Sequence, residues 1–188
     1  MLVRPTKQDL ADAYGKTIPD VVAPGLAVLF CGINPGLYSA ATARHFARPG
    51  NRFWPALHRG GFTPYQVDPA DQERLLGFRL GITNVVARAT ARADELTADE
   101  FRSGALTLTA KVRRLRPAWV AILGVGAYRT GFGRPGATIG IQPDRLAGAG
   151  LWILPNPSGL NAHYTLDRLA EEFGRLRVTA DDARAGTT

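Results

Sequence analysis

The chain has 188 residues, 45% of them apolar, which suits one globular domain with a sizeable core. Lysine and arginine outnumber aspartate and glutamate by 23 to 16, and the resulting charge of +7 suits a polyanionic partner without proving one. A single cysteine, Cys31, excludes an internal disulfide and a four-cysteine iron–sulfur cluster, and no apolar run approaches the roughly 18 residues of a membrane span. His45, His58 and His163 lack ligand-like spacing, so no metal is expected. Residues 1–5 lack the apolar core of a secretory signal, and a cytoplasmic protein is expected.

In chain order, residues 6–14 read as a short leading helix, and 19–25 link it to a buried strand over 26–31. A Gly-Pro loop follows, then a helix opening at Asn51 or Arg52 and stopping at Gly60-Gly61. A second short helix spans 68–76, with Pro69 in its favoured first turn. Residues 80–86 form the next strand candidate and run into a polar loop over 87–96. Thr97 and Glu100 have capping-box spacing for a helix reaching about Leu115, which Pro117 follows. A third strand is expected over 118–123, a short helix over 125–130, and two strands over 139–146 and 151–154. Thr165 caps a final amphipathic helix through Leu166, Leu169, Phe173 and Leu176. Residues 1–178 then make one domain, and the polar residues 179–188 are expected to form a frayed tail. Alternating strands and helices argue for a three-layer α/β/α sandwich around a short, mostly parallel sheet.

The most informative stretch is Gly32-Ile33-Asn34-Pro35-Gly36, directly after the first strand. Its glycines and proline permit a sharp bend and a close ligand approach, where parallel sheets place their sites. Phe46 and Asn51-Arg52-Phe53-Trp54 follow, and Asn156-Pro157-Ser158-Gly159-Leu160 comes much later. In this order, the motifs resemble the mismatch-specific uracil-DNA glycosylase and thymine-DNA glycosylase family, over roughly residues 27–173.

The resemblance implies the same sandwich architecture and hydrolysis of the N-glycosidic bond of a mismatched or damaged pyrimidine in double-stranded DNA, G:U mismatches among them. The base must leave the stack to be reached, and no cofactor is needed. It also implies that Asn34 holds the attacking water, Phe46 stacks on the flipped base and Leu160 wedges into the gap. Gly159 and Asn161 would meet the widowed guanine through backbone groups, Ser158 would bind phosphate, and His163 is a further phosphate candidate. Asn156 opens the second motif and is placed with the substrate-binding residues.

Around that frame, the backbone of Ile33 and Gly36 offers donors to the pyrimidine carbonyls. Gly36 stands where uracil glycosylases with a catalytic aspartate carry a bulky tyrosine, so the pocket should be roomier, with Ser39 and Tyr38 narrowing it again. Thymine and ethenocytosine are therefore open as substrates beside uracil. Asparagine orients water but cannot take its proton, so Asp94 in the 87–96 loop is a candidate catalytic carboxylate, and Asn84 a further pocket residue. Phe53 and Trp54 read as core, and Asn51 as a buttress.

Two rival readings stand beside this one. Gly124-Val125-Gly126 hints at a dinucleotide site, although Arg129 stands where the fingerprint wants glycine. A non-catalytic DNA-binding domain would use the same basic face. A monomer is the simpler expectation for the oligomeric state.

Overall fold

A computed structural model describes residues 4–185, the side chain of Arg184 excepted. Five strands form one sheet: β1 (Val28–Gly32), β2 (Leu80–Asn84), β3 (Trp119–Leu123), β4 (Gly140–Leu146) and β5 (Ala149–Leu154), in the order β2-β1-β3-β5-β4. All neighbours run parallel except β4, which pairs antiparallel with β5 at one edge. Beside β2, Val21 exchanges two main-chain bonds with Ile82 (2.9 and 2.8 Å) and covers part of the opposite edge.

Strand alternation divides the core into two faces. Phe30, Ala121, Trp152 and Leu154 pack with α3 (Phe53–Arg59) and α6 (Leu166–Ala185) through Phe53, Leu57, Phe173 and Leu176. Leu29, Cys31, Val120, Ile122 and Ile153 face the other way, against Leu108 and Val112 of α4 (Ala98–Leu115) and Tyr128 of α5 (Val125–Phe132). This is the expected α/β/α sandwich. Two short helices, α1 (Lys7–Asp12) and α2 (Leu37–Thr42), lie against each other at one end.

Local signals account for most element ends. The Thr97–Glu100 capping box is formed, with Thr97 N–H donating to Glu100 Oε2 at 2.9 Å and Glu100 N–H to Thr97 Oγ1 at 3.2 Å. Asp68 caps the 3-10 segment Pro69–Phe78, and Gly133, at φ 64°, ends α5 in the left-handed conformation. Two expectations are corrected. Helix α2 follows the Gly-Pro loop directly, unsignalled by any capping side chain. The tail expected from Thr179 is helical as far as Ala185, because the apolar stripe continues through the buried Ala180. Its last residues, 186–188, lie outside the described residues, as do residues 1–3.

One buried histidine ties the loop after α2 to the rest of the fold. His45 is 2% exposed, and every polar group it has is engaged. Its N–H donates to Gln72 Oε1 (2.8 Å), its carbonyl accepts from Trp54 Nε1 (3.1 Å), and its Nε2 donates to the Pro19 carbonyl (2.9 Å). That carbonyl only accepts, so Nε2 carries the proton and Nδ1 is the acceptor facing Asn84 Nδ2, 3.5 Å away. Burial pushes the imidazole below its ordinary value, against the smaller raising effects of the Pro19 carbonyl and Asp20, so it folds neutral.

These contacts set two expectations. A Cβ built on Gly104 of α4 would lie 2.3 Å from the Val85 carbonyl oxygen, whereas one on Gly126 of α5 meets nothing within 4 Å. Gly104→Ala should lower the free energy of unfolding in urea by about 1–3 kcal/mol, and Gly126→Ala should leave it unchanged or raise it by up to about 1 kcal/mol. For His45, the folded value lies below the unfolded one, so stability is complete above about pH 6.5 and falls as pH drops from there towards the folded value. The thermal midpoint should therefore fall between pH 7 and 5, and His45→Gln, less stable at pH 7, should show a flatter dependence over that window.

Candidate active site

The carboxyl ends of β1, β2, β3 and β5 open onto one cavity of about 440 Å³. Sheet order reverses direction at β1, with β2 on one side and β3 on the other, and such a switch point is where an open parallel sheet leaves a crevice. Ile33 and Asn34 enter from β1, Asn84 from β2, Leu123 from β3 and Asn156 from just beyond β5.

The orientation of Asn34 follows from its partners. Its Nδ2 lies 3.0 Å from the Arg88 carbonyl and 2.7 Å from Thr90 Oγ1. A carbonyl only accepts, and the Thr90 hydroxyl spends its proton on the Arg92 carbonyl at 2.8 Å. Both contacts therefore require the amide nitrogen, and Asn34 Oδ1 is left as the acceptor for the cavity. The turn that imposes this is itself fastened. Arg88 forms an ion pair with Glu100 (Nη2 to Oε2 3.0 Å), and together with the Thr97 bonds it holds the Glu100 carboxyl down at about 2. Thr90 N–H donates to the Pro35 carbonyl at 3.2 Å.

Phe46 forms one wall. Its φ of 53° is left-handed, a costly conformation for a bulky residue, and the bonds on either side of the His45 peptide hold it there. One face of its ring stacks on Phe53, with centroids 4.2 Å apart and planes 23° apart. Phe53 in turn meets Phe30 and Phe173 in the core, so the wall is rigid. Gly32 is required beneath it, since a Cβ there would lie 2.6 Å from Asn84 Oδ1 and 3.1 Å from the Phe46 ring. At Gly36, by contrast, a Cβ would meet nothing within 4 Å.

The second motif forms the opposite rim. Asn156 Oδ1 accepts from Ser158 N–H at 3.0 Å, which turns the Asn156 Nδ2 donor away from that bond. Ser158 Oγ accepts from Leu160 N–H at 3.3 Å, and Asn161 Nδ2 donates to the Asn156 carbonyl at 2.9 Å. These local turns present Leu160 with 74% of its surface exposed. Behind them, the Arg52 guanidinium donates to the carbonyls of Ser158, Tyr164 and Asn161, the last at 2.8 Å.

Asn34, Ile33, Gly36, Ser39, Phe46, Asn156 and Asp94 all line the one cavity, as do Ser158, Leu160 and Asn161 at its rim. Gly159 packs instead on the Gly50 backbone, and His163 is exposed and outside the cavity lining. The main chain of Asn161 is committed within the protein, its N–H to the Ser158 carbonyl (2.9 Å) and its carbonyl to Arg52. Asp94 is the one carboxylate among the lining residues; it sits at the mouth, 62% exposed, in a two-bond pair with Arg92. Asn51 buttresses the loop by accepting from Phe53 N–H at 2.9 Å, and Phe53 and Trp54 are core. Gly124-Val125-Gly126 turns β3 into α5 and does not line the cavity. Sequence reasoning missed Thr90, His45 and Arg52. Of these only Arg52 carried a signal, a lone cation between Asn51 and two core aromatics.

A family model described as the uracil DNA glycosylase superfamily matches residues 19–176. Among solved structures, the fold is similar to a solution NMR structure of a Methanosarcina acetivorans protein described as a candidate uracil DNA glycosylase. That likeness has a TM-score of 0.60 at 18% identity and covers 87% of this chain and 98% of the other. The matched span holds both loops of the cavity and all four parallel strands that carry them, and on this match the chain belongs to the uracil DNA glycosylase superfamily.

Proposed function

We propose that this protein is a mismatch-specific DNA glycosylase that extrudes uracil, and larger pyrimidine lesions, from mismatched duplex DNA and hydrolyses the N-glycosidic bond to leave an abasic site. The observation that carries this reading is the Asn34 amide, fixed with its oxygen towards a cavity whose opposite rim presents the exposed Leu160.

In this reading the extruded base stacks on the free face of Phe46, a contact contributing roughly 1–3 kcal/mol and tolerant of base identity. Asn34 Oδ1 accepts a hydrogen bond from a water and turns that water's lone pair towards C1′ of the deoxyribose. As the bond between C1′ and the base nitrogen breaks, its electron pair leaves with the base. Donors fixed before the reaction, Asn156 Nδ2 among them, stabilise the negative charge on the pyrimidine oxygens. The sugar becomes cationic, and Asp94 at the mouth is the carboxylate that stabilises it and receives the proton of the attacking water. Solvent then protonates the base. No cofactor takes part.

Lesion range follows from space. With Gly36 open where a tyrosine side chain would obstruct a 5-methyl group, thymine and ethenocytosine fit the same reading as uracil. Leu160 enters the stack as the base leaves and offsets part of the unstacking cost. Ser158 keeps a hydroxyl proton to donate to phosphate, because its oxygen is the acceptor for Leu160 N–H. The protein acts as a monomer.

Incubation with a G:U duplex followed by alkali should cleave the strand at the uracil, whereas a non-catalytic binder would retain the duplex and leave it intact. In single-turnover excision, Asn34→Ala should slow the reaction on the order of a hundredfold or more. Asp94→Asn should slow it roughly a hundredfold; an unchanged rate would remove Asp94 from the mechanism.

A further inference from the structure

We infer that Arg52 is the positioning residue that clasps the wedge loop, so that Leu160 acts on the DNA stack only through it. The inference rests on reading Leu160 as the wedge.

A wedge works against a restoring force, because the stacked bases on either side tend to close the gap. The side chain must therefore stand on something that does not yield. Within the loop, the bonds among Asn156, Ser158, Leu160 and Asn161 define a shape but tie the loop only to itself. Arg52 supplies the attachment to the body of the protein. Its main-chain N–H donates to the Pro157 carbonyl at 3.0 Å, and its guanidinium reaches the carbonyls of Ser158, Asn161 and Tyr164. One residue thus holds the main chain on both sides of Leu160. Gly159 seals the same seat, since a Cβ there would lie 2.6 Å from the Gly50 carbonyl oxygen.

The other side of this clasp is the base platform. Asn51 Oδ1 accepts from Phe53 N–H, and Phe53 stacks on Phe46. Arg52 stands between them in the chain, so the wedge and the wall of the cavity are fixed to one short turn. A guanidinium suits the task because its planar fork carries five donors in fixed directions. Lysine keeps the charge but offers a compact group that cannot span carbonyls spread from Ser158 to Tyr164.

If Arg52 acts through Leu160, its loss has nothing further to remove once the leucine is gone. A double-mutant cycle with Arg52→Lys and Leu160→Ala, read as single-turnover excision from a G:U duplex, tests this directly. Each single variant should be slower by about tenfold or more, and the double variant should be no slower than Leu160→Ala alone. Thermal unfolding of each variant is measured in parallel. Should Arg52→Lys not fold, Gly159→Ala replaces it in the cycle, since it lifts the loop from Gly50 with Arg52 intact; the same non-additivity is expected. Multiplicative effects would make Arg52 a general structural residue and overturn the inference, as would an Arg52→Lys enzyme of wild-type rate. A wild-type protein that leaves no abasic sites would overturn the glycosylase reading itself, and an unimpaired Leu160→Ala enzyme the wedge.

Discussion

The Asn34 amide can point only one way, and much of the structure serves that constraint. An amide has a donor end and an acceptor end of nearly the same shape, so its orientation is set by what its neighbours can offer. Here the neighbours are a carbonyl and a hydroxyl whose proton is already spent. Turning the amide over would set two oxygens against each other on both contacts. The turn carrying those neighbours is pinned from three directions. Ala89 exchanges main-chain bonds with the turn that follows α1, its N–H to the Lys16 carbonyl (2.8 Å) and its carbonyl from Gly15 N–H (2.9 Å). Thr90 is tied to Pro35, and Arg88 to the cap of α4. Glu100 therefore has two tasks, opening a helix and anchoring the turn that orients the site, and its strongly lowered value reflects both.

The opposite wall depends on stacked rings. Phe46 would gain nothing from a left-handed backbone in isolation, and an L-residue loses about 1–2 kcal/mol there. The bonds flanking it compensate, because a buried histidine with an unpaired polar group would cost as much or more. The result is a ring whose outer face is open to the cavity and whose inner face leads through Phe53 to Phe30 and Phe173. A platform built this way cannot tilt without disturbing the core beneath it.

What was legible in the sequence was either local or carried by a family motif. The buried strands, the Thr97–Glu100 box, the Gly133 stop and the Thr165 cap are short-range patterns, and the sandwich follows from their order. The meeting of Asn34 with Leu160 came from the motif order, because nothing local joins residues so far apart. The misses have physical reasons. Helix α2 has six residues, no side-chain cap, and a glycine at its start. The small polar residues from Thr179 on suggest fraying, whereas the spacing of Leu176 and Ala180 continues the buried face. Thr90, 56 residues from Asn34, and Arg52, more than a hundred from the carbonyls it holds, become visible only when the chain is folded. Asp94 lies in the turn Ala93–Glu95, well beyond the end of β2, and its exposed pairing with Arg92 on the same loop has no signature in the linear sequence.

Selectivity in the proposed reaction cannot reside mainly in the cavity. An apolar pocket distinguishes one methyl group by only about 1–3 kcal/mol, and the open space at Gly36 relaxes even that. Thymine paired with adenine is present in great excess over any lesion, so a roomy pocket needs a filter ahead of it. The filter available is the cost of extrusion, which is lowest for a mismatched or damaged base. Extrusion is opposed by the intact stack and assisted by the wedge, so discrimination rises with how firmly the wedge is held in one geometry. A mobile wedge would average over well-paired and badly paired sites, and a seated one responds to the difference between them. In the proposed reaction, therefore, a more permissive base cavity calls for a more rigid loop beside it.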